Sequence, residues 1–273
     1  MIIEFEFLEE VIKISIDAGY GIMKAYDSSY DIVEKSDGSP VTIADQNAHN
    51  LIYDRLQKLA PGIPLVSEES NLVDIENRLS WERFWLVDPL DGTKEFIKKN
   101  GEFTVNIAMI EGGRPILGVV HAPARDLTYF ATSGKGSWRQ IKNHAPEKIM
   151  TKAYHRGAVR MTSSRSHRSK PIENFCLALE EQIQLPIQHV TMGSSLKFCL
   201  VAEGSADIYP RLGPTSEWDT GAAHCVLEEA GGSVRLCDGG QLIYNKQSLL
   251  NPWFVAMGDP TYQWLEICSI QQS

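Results

Sequence analysis

The sequence has few cysteines, no excess of basic residues and no long apolar run, and each absence excludes a class of protein. The five cysteines form an odd set without a CxxC pair: Cys176, Cys199, Cys225, Cys237 and Cys268. This predicts buried thiols in a reducing compartment. The 273 residues contain 26 Lys and Arg against 35 Asp and Glu, a formal charge of −9. That balance argues against a protein that holds a long nucleic acid on a basic surface.

The chain has no recognisable targeting or linker segment. No stretch approaches the ~18–20 uninterrupted apolar residues of a membrane span, and acidic Glu4 and Glu6 stand where a signal peptide needs basic residues. We therefore expect a cytoplasmic protein. There is no repeat or low-complexity linker, and 43% of the residues are hydrophobic, which provides ample material for one large domain or two closely packed halves.

The apolar pattern changes near residue 150. Before it, helices are predicted over residues 7–26, as one helix or two abutting ones, and from Thr42 to Pro61, with Asp45 in the first turn. Apolar or β-rich segments follow at residues 63–69, 84–88, 105–111, 115–122 and 127–132, and residues 133–136 are expected to close this meander. After residue 150, strands are predicted at 158–162 and 206–209, and helices at 171–181, 194–202 and about 217–230.

We expect two halves, 1–150 and 151–273, packed as one compact unit with a site between them.

The most informative stretch is residues 85–93, in which a buried strand ends in Asp88 and a proline fixes a turn before Asp91. Paired carboxylates on a tight turn suit hard divalent cations such as Mg²⁺. The backbone N–H groups of Gly92 and Thr93 can bind phosphate oxygens. Taken alone, this short string is also compatible with a solvated turn.

Three other acidic residues are candidates for the same site. Glu68 and Glu69 end the preceding apolar run, and because neighbouring strand residues point to opposite faces, we expect only one of them to reach a site. Asp219 is predicted in the first turn of a helix, where an acid by itself is explained by the helix dipole.

In combination, these segments resemble the inositol monophosphatase superfamily of Mg²⁺-dependent, Li⁺-sensitive phosphatases. The similarity lies in residues 39–45, 67–69, 88–93 and 218–219 and in the glycines at 231 and 232. Residues 85–108, 193–204 and 209–219 are further similar to the bacterial 3'(2'),5'-bisphosphate nucleotidases of that superfamily. The resemblance implies a layered α/β sandwich of the αβαβα type, with an α+β amino-terminal half and an α/β carboxyl-terminal half.

The resemblance also implies a role for each candidate residue. Two Mg²⁺ ions, with a weaker third, would be held by Glu68, Asp88, the carbonyl of Leu90, Asp91 and Asp219. Thr93, hydrogen-bonded to Asp45, would orient and deprotonate the attacking water, and the N–H groups of Gly92 and Thr93 would bind the phosphate. For Asp45 and Thr93, helix capping is the alternative.

The implied reaction converts adenosine 3',5'-bisphosphate to AMP and phosphate in sulfur metabolism, with 3'-phosphoadenylyl sulfate as a second substrate. Lys197 and Arg211 lie in the stretches most typical of the nucleotidases and are candidates for contacts with the substrate's second phosphate. An inositol monophosphatase or broader sugar phosphatase on the same scaffold is the main alternative. An aspartyl-phosphate mechanism on Asp88 and a non-catalytic cation-binding protein are the others. We expect a monomer or homodimer, in the cytoplasm or peripherally on the inner membrane.

Overall fold

The computed structural model describes residues 5–27, 32–34, 40–71, 75–163 and 169–269, so Glu4 and the start of the motif at residue 39 lie outside the described chain. The helices are α1 (Phe5–Tyr26), α2 (Ile43–Leu59), α3 (Thr93–Ile97), α4 (Lys170–Ile183), α5 (Leu196–Ala202), α6 (Gly221–Glu229) and α7 (Trp264–Ser269). The strands up to residue 150 are β1 (Ile32–Glu34), β2 (Pro40–Thr42), β3 (Leu65–Ser67), β4 (Arg83–Asp91), β5 (Thr104–Glu111), β6 (Arg114–Ala122), β7 (Leu127–Thr132), β8 (Gly136–Ile141) and β9 (Glu147–Ile149). The later strands are β10 (Arg160–Ser163), β11 (Gln188–Thr191), β12 (Ile208–Arg211), β13 (Ser233–Leu236) and β14 (Phe254–Met257).

Seven strands, β3 to β9, form a sheet in chain order. β3 and β4 are parallel, and every later neighbour is antiparallel. Side chains alternate across a strand, and β4 has an unbroken apolar run from Phe84 to Val87. Both of its faces are therefore apolar over that run. Trp85 and Val87 pack in one core with α1 and α2, whereas Phe84 and Leu86 pack in a second core with α5 and α6.

A second sheet has five strands in the order β11-β10-β12-β14-β13. Side chains on the two faces of its strand β14 pack in different cores. Phe254 and Ala256 pack with α5 and α6, and Val255 and Met257 pack in a third core with α4 and α7. The layers are therefore α1 and α2, the seven-stranded sheet, α5 and α6, the five-stranded sheet, and α4 and α7. This confirms the predicted αβαβα sandwich.

The close approach of α6 to the seven-stranded sheet depends on a small residue. A Cβ at Gly118 on β6 would collide with the backbone carbonyl of Ala222 and the side chain of Cys225 on α6. A glycine at this position therefore allows α6, which follows Asp219, to lie directly on the sheet that carries Asp88 and Asp91.

Most predicted elements are present, and three expectations are wrong. The strand predicted to end at Asp88 continues through Pro89 to Asp91, with a bulge in place of the expected turn. Residues 133–136 do not close the meander: Gly134 and Gly136 have φ of 76° and 77° and turn the chain back into β8 and then β9. Asp219 does not lie in the first turn of α6, which begins at Gly221. The chain before α6 is held elsewhere, because the Glu217 N–H donates to the carbonyl of Leu249 at 2.8 Å.

None of the described helices is both long enough and apolar enough to cross a bilayer.

Candidate metal and phosphate site

Three acidic residues reach one edge of the seven-stranded sheet because β3 and β4 are parallel. The Glu68 N–H donates to the carbonyl of Val87 at 3.1 Å, so the chain leaves β3 beside the end of β4. Asp88 is paired with Asn106 and Asp91 with Thr104 on β5. Glu68 and Asp91 thus lie at the carboxyl ends of adjacent strands, and Asp88 lies three residues before the end of β4, where the sequence had predicted the strand to stop.

A bulge brings the two aspartates of β4 together. The register with β5 shifts between Asp88 and Asp91, and the Leu90 N–H donates to Asp88 Oδ1 at 3.0 Å. Gly92 then adopts φ of 91°, a conformation that favours glycine, and α3 begins at Thr93. The Thr93 hydroxyl donates to the Leu90 carbonyl at 3.4 Å. Its pairing with Asp45 stays a prediction.

Asp219 joins this edge from the turn before α6. One carboxylate oxygen from each of Asp88, Asp91 and Asp219 can be chosen so that all three lie within 4.8 Å of one another. The Ser216 N–H donates to Asp219 Oδ2 at 2.9 Å, which fixes the orientation of that side chain. Three carboxylates from two distant chain segments therefore form one acidic cluster.

Ser195, which the sequence reasoning did not single out, connects the two sides of the cluster. Its N–H donates to Asp91 Oδ2 at 2.7 Å. Its hydroxyl oxygen lies 2.9 Å from Asp91 Oδ2 and 2.7 Å from the Asp219 carbonyl, and it accepts a hydrogen bond from Asn106 Nδ2 at 2.9 Å. The sequence signal that could identify it is a hydroxyl residue within residues 193–204, a segment similar to the bisphosphate nucleotidases.

Burial and like charge act together on the cluster. Asp88 is 1% exposed, and burial raises the pKa of its carboxyl group, followed by the charges of Glu68, Asp91, Asp219 and Asp45. Burial is also the largest cause that raises the pKa of Asp219 to about 8, followed by the charge of Asp91. A divalent cation would offset this repulsion, and carboxylate oxygens are the donors that Mg²⁺ prefers. The donor set therefore fits such an ion.

The remaining acidic candidates separate into those near the cluster and one that is elsewhere. Asp45 is 2% exposed in the first turn of α2 and is close enough to raise the pKa of Asp88. Glu68 raises the pKa of both Asp88 and Asp219. Glu69 instead accepts a hydrogen bond from Gln46 Nε2 at 2.7 Å on the surface. The two neighbouring glutamates thus have different environments, as expected for adjacent strand-end residues.

A cavity of about 160 Å³ opens beside the cluster and contains both basic candidates. Its lining includes Asp91, Asp219, Lys197 and Arg211. Lys197 is 6% exposed, and its ammonium group donates to the Ser194 carbonyl at 2.6 Å. Arg211 lowers the pKa of Asp219, against the effect of burial. The structure therefore brings both basic candidates, together with Lys94, and two acids of the cluster to one cavity.

Comparison with known proteins identifies relatives over nearly the whole chain. Residues 6–259 match the model of the inositol monophosphatase family. The chain is 47% identical over 259 residues to the 3'(2'),5'-bisphosphate nucleotidase CysQ of Shigella flexneri, covering 90% of this chain and 98% of that protein. It is 46% identical, with the same coverage, to the CysQ of Escherichia coli strain K12.

Solved structures give the same fold. CysQ from Bacteroides thetaiotaomicron, a bacterial member of the inositol monophosphatase family, superimposes with a TM-score of 0.81 at 38% identity, covering 92% of this chain and 96% of that one. SuhB from Bartonella henselae superimposes with a TM-score of 0.77 at 21% identity, covering 96% of each chain, which supports the fold alone.

Proposed function

This chain belongs to the inositol monophosphatase family, and from that premise we propose that it is a 3'(2'),5'-bisphosphate nucleotidase that converts adenosine 3',5'-bisphosphate to AMP and phosphate. The single observation that carries the substrate choice is the cavity in which Lys197 and Arg211 accompany Asp91 and Asp219. A substrate with two phosphate groups needs an acidic, cation-binding end for the phosphate that is removed and a basic end for the one that stays. The names of the CysQ relatives support the same substrate class.

The proposed cofactor is Mg²⁺, with two to three ions in each site. Its proposed ligands are Glu68, Asp88, the backbone carbonyl of Leu90, Asp91 and Asp219. When bound, Mg²⁺ would neutralise the carboxylates, polarise the phosphate and lower the barrier to attack by water. The buried, mutually repelling carboxylates of the cluster support this ligand set.

The chain's own groups are proposed to position the reactants. The backbone N–H groups of Gly92 and Thr93, at the start of α3, would bind oxygens of the departing phosphate. The Thr93 hydroxyl would orient the attacking water, and Asp45, buried near Asp88, would accept a proton through that hydroxyl. Lys197 and Arg211 would hold the second phosphate, so that the scissile bond faces the acidic cluster. The phosphate is displaced directly, without a covalent intermediate.

Steady-state specificity constants test the proposal. We expect kcat/KM to be highest for adenosine 3',5'-bisphosphate when it is compared with inositol 1-phosphate and fructose 1,6-bisphosphate. Lys197→Met and Arg211→Met should raise KM for the bisphosphate by about tenfold each, because a charged hydrogen bond contributes about 1.5 kcal/mol or more. Lys58→Met, at the exposed end of α2, is the matched control and should leave KM unchanged. Preference for inositol 1-phosphate would favour the inositol monophosphatase alternative and overturn the proposal.

The proposal extends to 3'-phosphoadenylyl sulfate as a second substrate, because this compound and adenosine 3',5'-bisphosphate carry the same 3'-phosphate. It also extends to a role in sulfur assimilation. The cytoplasmic location, the peripheral association with the inner membrane and the monomeric or homodimeric state stay predictions.

A further inference from the structure

Two cysteines meet in the third core, on the far side of the five-stranded sheet from α5 and α6. Cys237 follows β13 and Cys268 lies in α7. Their Sγ atoms are 2.9 Å apart and share a hydrogen bond, and both thiols are free. The residues are only 7% and 2% exposed, so neither thiol faces bulk solvent in the closed structure.

An oxidant must reach the two thiols, and α7 is the element whose local opening would expose them. α7 has six residues and is the last described element of the chain. It is anchored by Trp264, which is fully buried and donates from Nε1 to the Asp259 carbonyl at 2.8 Å. Short elements open locally at a free-energy cost below that of global unfolding. Such an opening would expose Cys237 and Cys268 and then return them to contact.

We propose that Cys237 and Cys268 form an intrachain disulfide when a disulfide oxidant such as oxidised glutathione is present. The Cys237 thiolate attacks one sulfur of the oxidant, whose S–S bond breaks, so that a mixed disulfide forms and one glutathione thiolate leaves. Cys268 then loses its proton to water and attacks the Cys237 sulfur, which releases the second glutathione thiolate. The two protein thiols give up two electrons and two protons, and oxidised glutathione is reduced to two glutathione molecules.

The surroundings of the two sulfurs assign these roles. The hydrogen bond between them lowers the pKa of Cys237 and raises that of Cys268. Cys237 is also the more exposed of the two residues, 7% against 2%, so it is the thiol that an oxidant reaches first, and Cys268 is the resolving one. Cys199 and Cys225 differ, because burial raises the pKa of both thiols.

The disulfide would tie α7 to the edge of the five-stranded sheet. The two cysteines are 31 residues apart in the chain, and a crosslink of that span reduces the entropy of the unfolded chain enough to raise Tm by about 5–10 °C. Because β14 separates this core from the layer of α5 and α6, kcat of the oxidised protein should equal that of the reduced protein. Cys268 lies beyond residue 259, where the match to the family model ends.

Thiol mapping of the purified full chain tests the proposal. The protein is incubated with oxidised glutathione or with dithiothreitol, denatured, alkylated with N-ethylmaleimide and digested. We expect five alkylated cysteines in the reduced sample. In the oxidised sample we expect three, together with one peptide pair that links Cys237 to Cys268 and the increase in Tm.

Variants provide the control. Cys237→Ala and Cys268→Ala should each lose the linked peptides and the Tm increase, whereas Cys176→Ala, on α4, should keep both. The wild-type peptide map decides the question even if a buried variant fails to fold. Five alkylated cysteines after oxidation, a stable glutathione adduct at Cys237 or a linkage to another cysteine would overturn the proposal.

Discussion

A buried ion pair beside the acidic cluster is expected to stabilise the turn that carries Asp219. The side chain of Glu217 is 0% exposed, and its Oε1 accepts hydrogen bonds from Lys246 Nζ at 2.6 Å and from the Lys246 N–H at 3.0 Å. Its Oε2 accepts from the Asn245 N–H at 2.7 Å. Glu217 thus connects the chain just before Asp219 to the loop before β14.

Lys246→Met leaves the Glu217 carboxylate buried with two backbone donors and no countercharge. Removing one partner of a buried pair lowers the free energy of unfolding by about 3 kcal/mol. In a protein of this length, that corresponds to a decrease in Tm of about 6–12 °C. Glu217→Gln should have a similar effect, and the double variant should lose less than the sum, because it leaves no unpaired buried charge.

Chemical denaturation of the wild type, the two single variants and the double variant measures the coupling energy between Glu217 and Lys246. The Mg²⁺ concentration for half-maximal activity shows whether losing this pair also affects Asp219. We expect that concentration to rise in Glu217→Gln. Arg55→Met is the matched control, because it removes a partner of Asp17 in a surface pair with side chains 39% and 52% exposed. Its unfolding free energy should change by less than about 0.5 kcal/mol. Single variants of the Glu217 pair as stable as this control, or strictly additive losses, would refute the reasoning.

Four further predictions concern the site and the core. Asp91→Asn should abolish turnover and leave the circular dichroism spectrum unchanged; wild-type activity would contradict its role as a ligand. Chelation with EDTA should remove activity, and added Mg²⁺ should restore it. Ser195→Ala should raise the Mg²⁺ concentration for half-maximal activity without lowering Tm by more than a few degrees, because it removes the hydroxyl that contacts both Asp91 Oδ2 and the Asp219 carbonyl and keeps the backbone N–H bond to Asp91. Burial lowers the pKa of His121 to about 4. The unfolded imidazole titrates near pH 6.5, so the unfolded state takes up the proton first and the free energy of unfolding should fall by about 2 kcal/mol from pH 7 to pH 5. His121→Gln should lose that part of the pH dependence in denaturation experiments.

The strand ends of the site were predictable because their pattern is local. The apolar run before Asp88 is buried on both faces, and acids that follow such a run are expected near the carboxyl edge of the sheet, where Asp88 and Asp91 lie. The same argument placed Glu68 at that edge. The parallel pairing of β3 with β4 then determined that the two acids share it.

Long-range packing determined what the local pattern could not predict. Asp219 reaches the cluster because α6 lies against the sheet at Gly118, and no periodicity in residues 217–230 encodes that contact. The start of α6 was misplaced for a related reason: the Glu217 N–H bonds to Leu249, which is distant in the chain. Ser195 was missed because its importance depends on Asp91 and Asp219 lying on either side of it.

The hydrogen bonds of the cluster fix its carboxylates without neutralising them. Two unit charges about 5 Å apart repel by about 3 kcal/mol at an effective dielectric constant near 20. Donors from Ser195 and Ser216 hold Oδ2 of Asp91 and Oδ2 of Asp219 in place, yet each of these donors is electrically neutral. Within the described chain the fold therefore keeps the three carboxyl groups close together, their raised pKa values reflect this, and a bound cation would offset the repulsion. Under the proposed function, an acidic protein of charge −9 would accept a phosphate at this point because the cation, and not the net charge, would determine the local field.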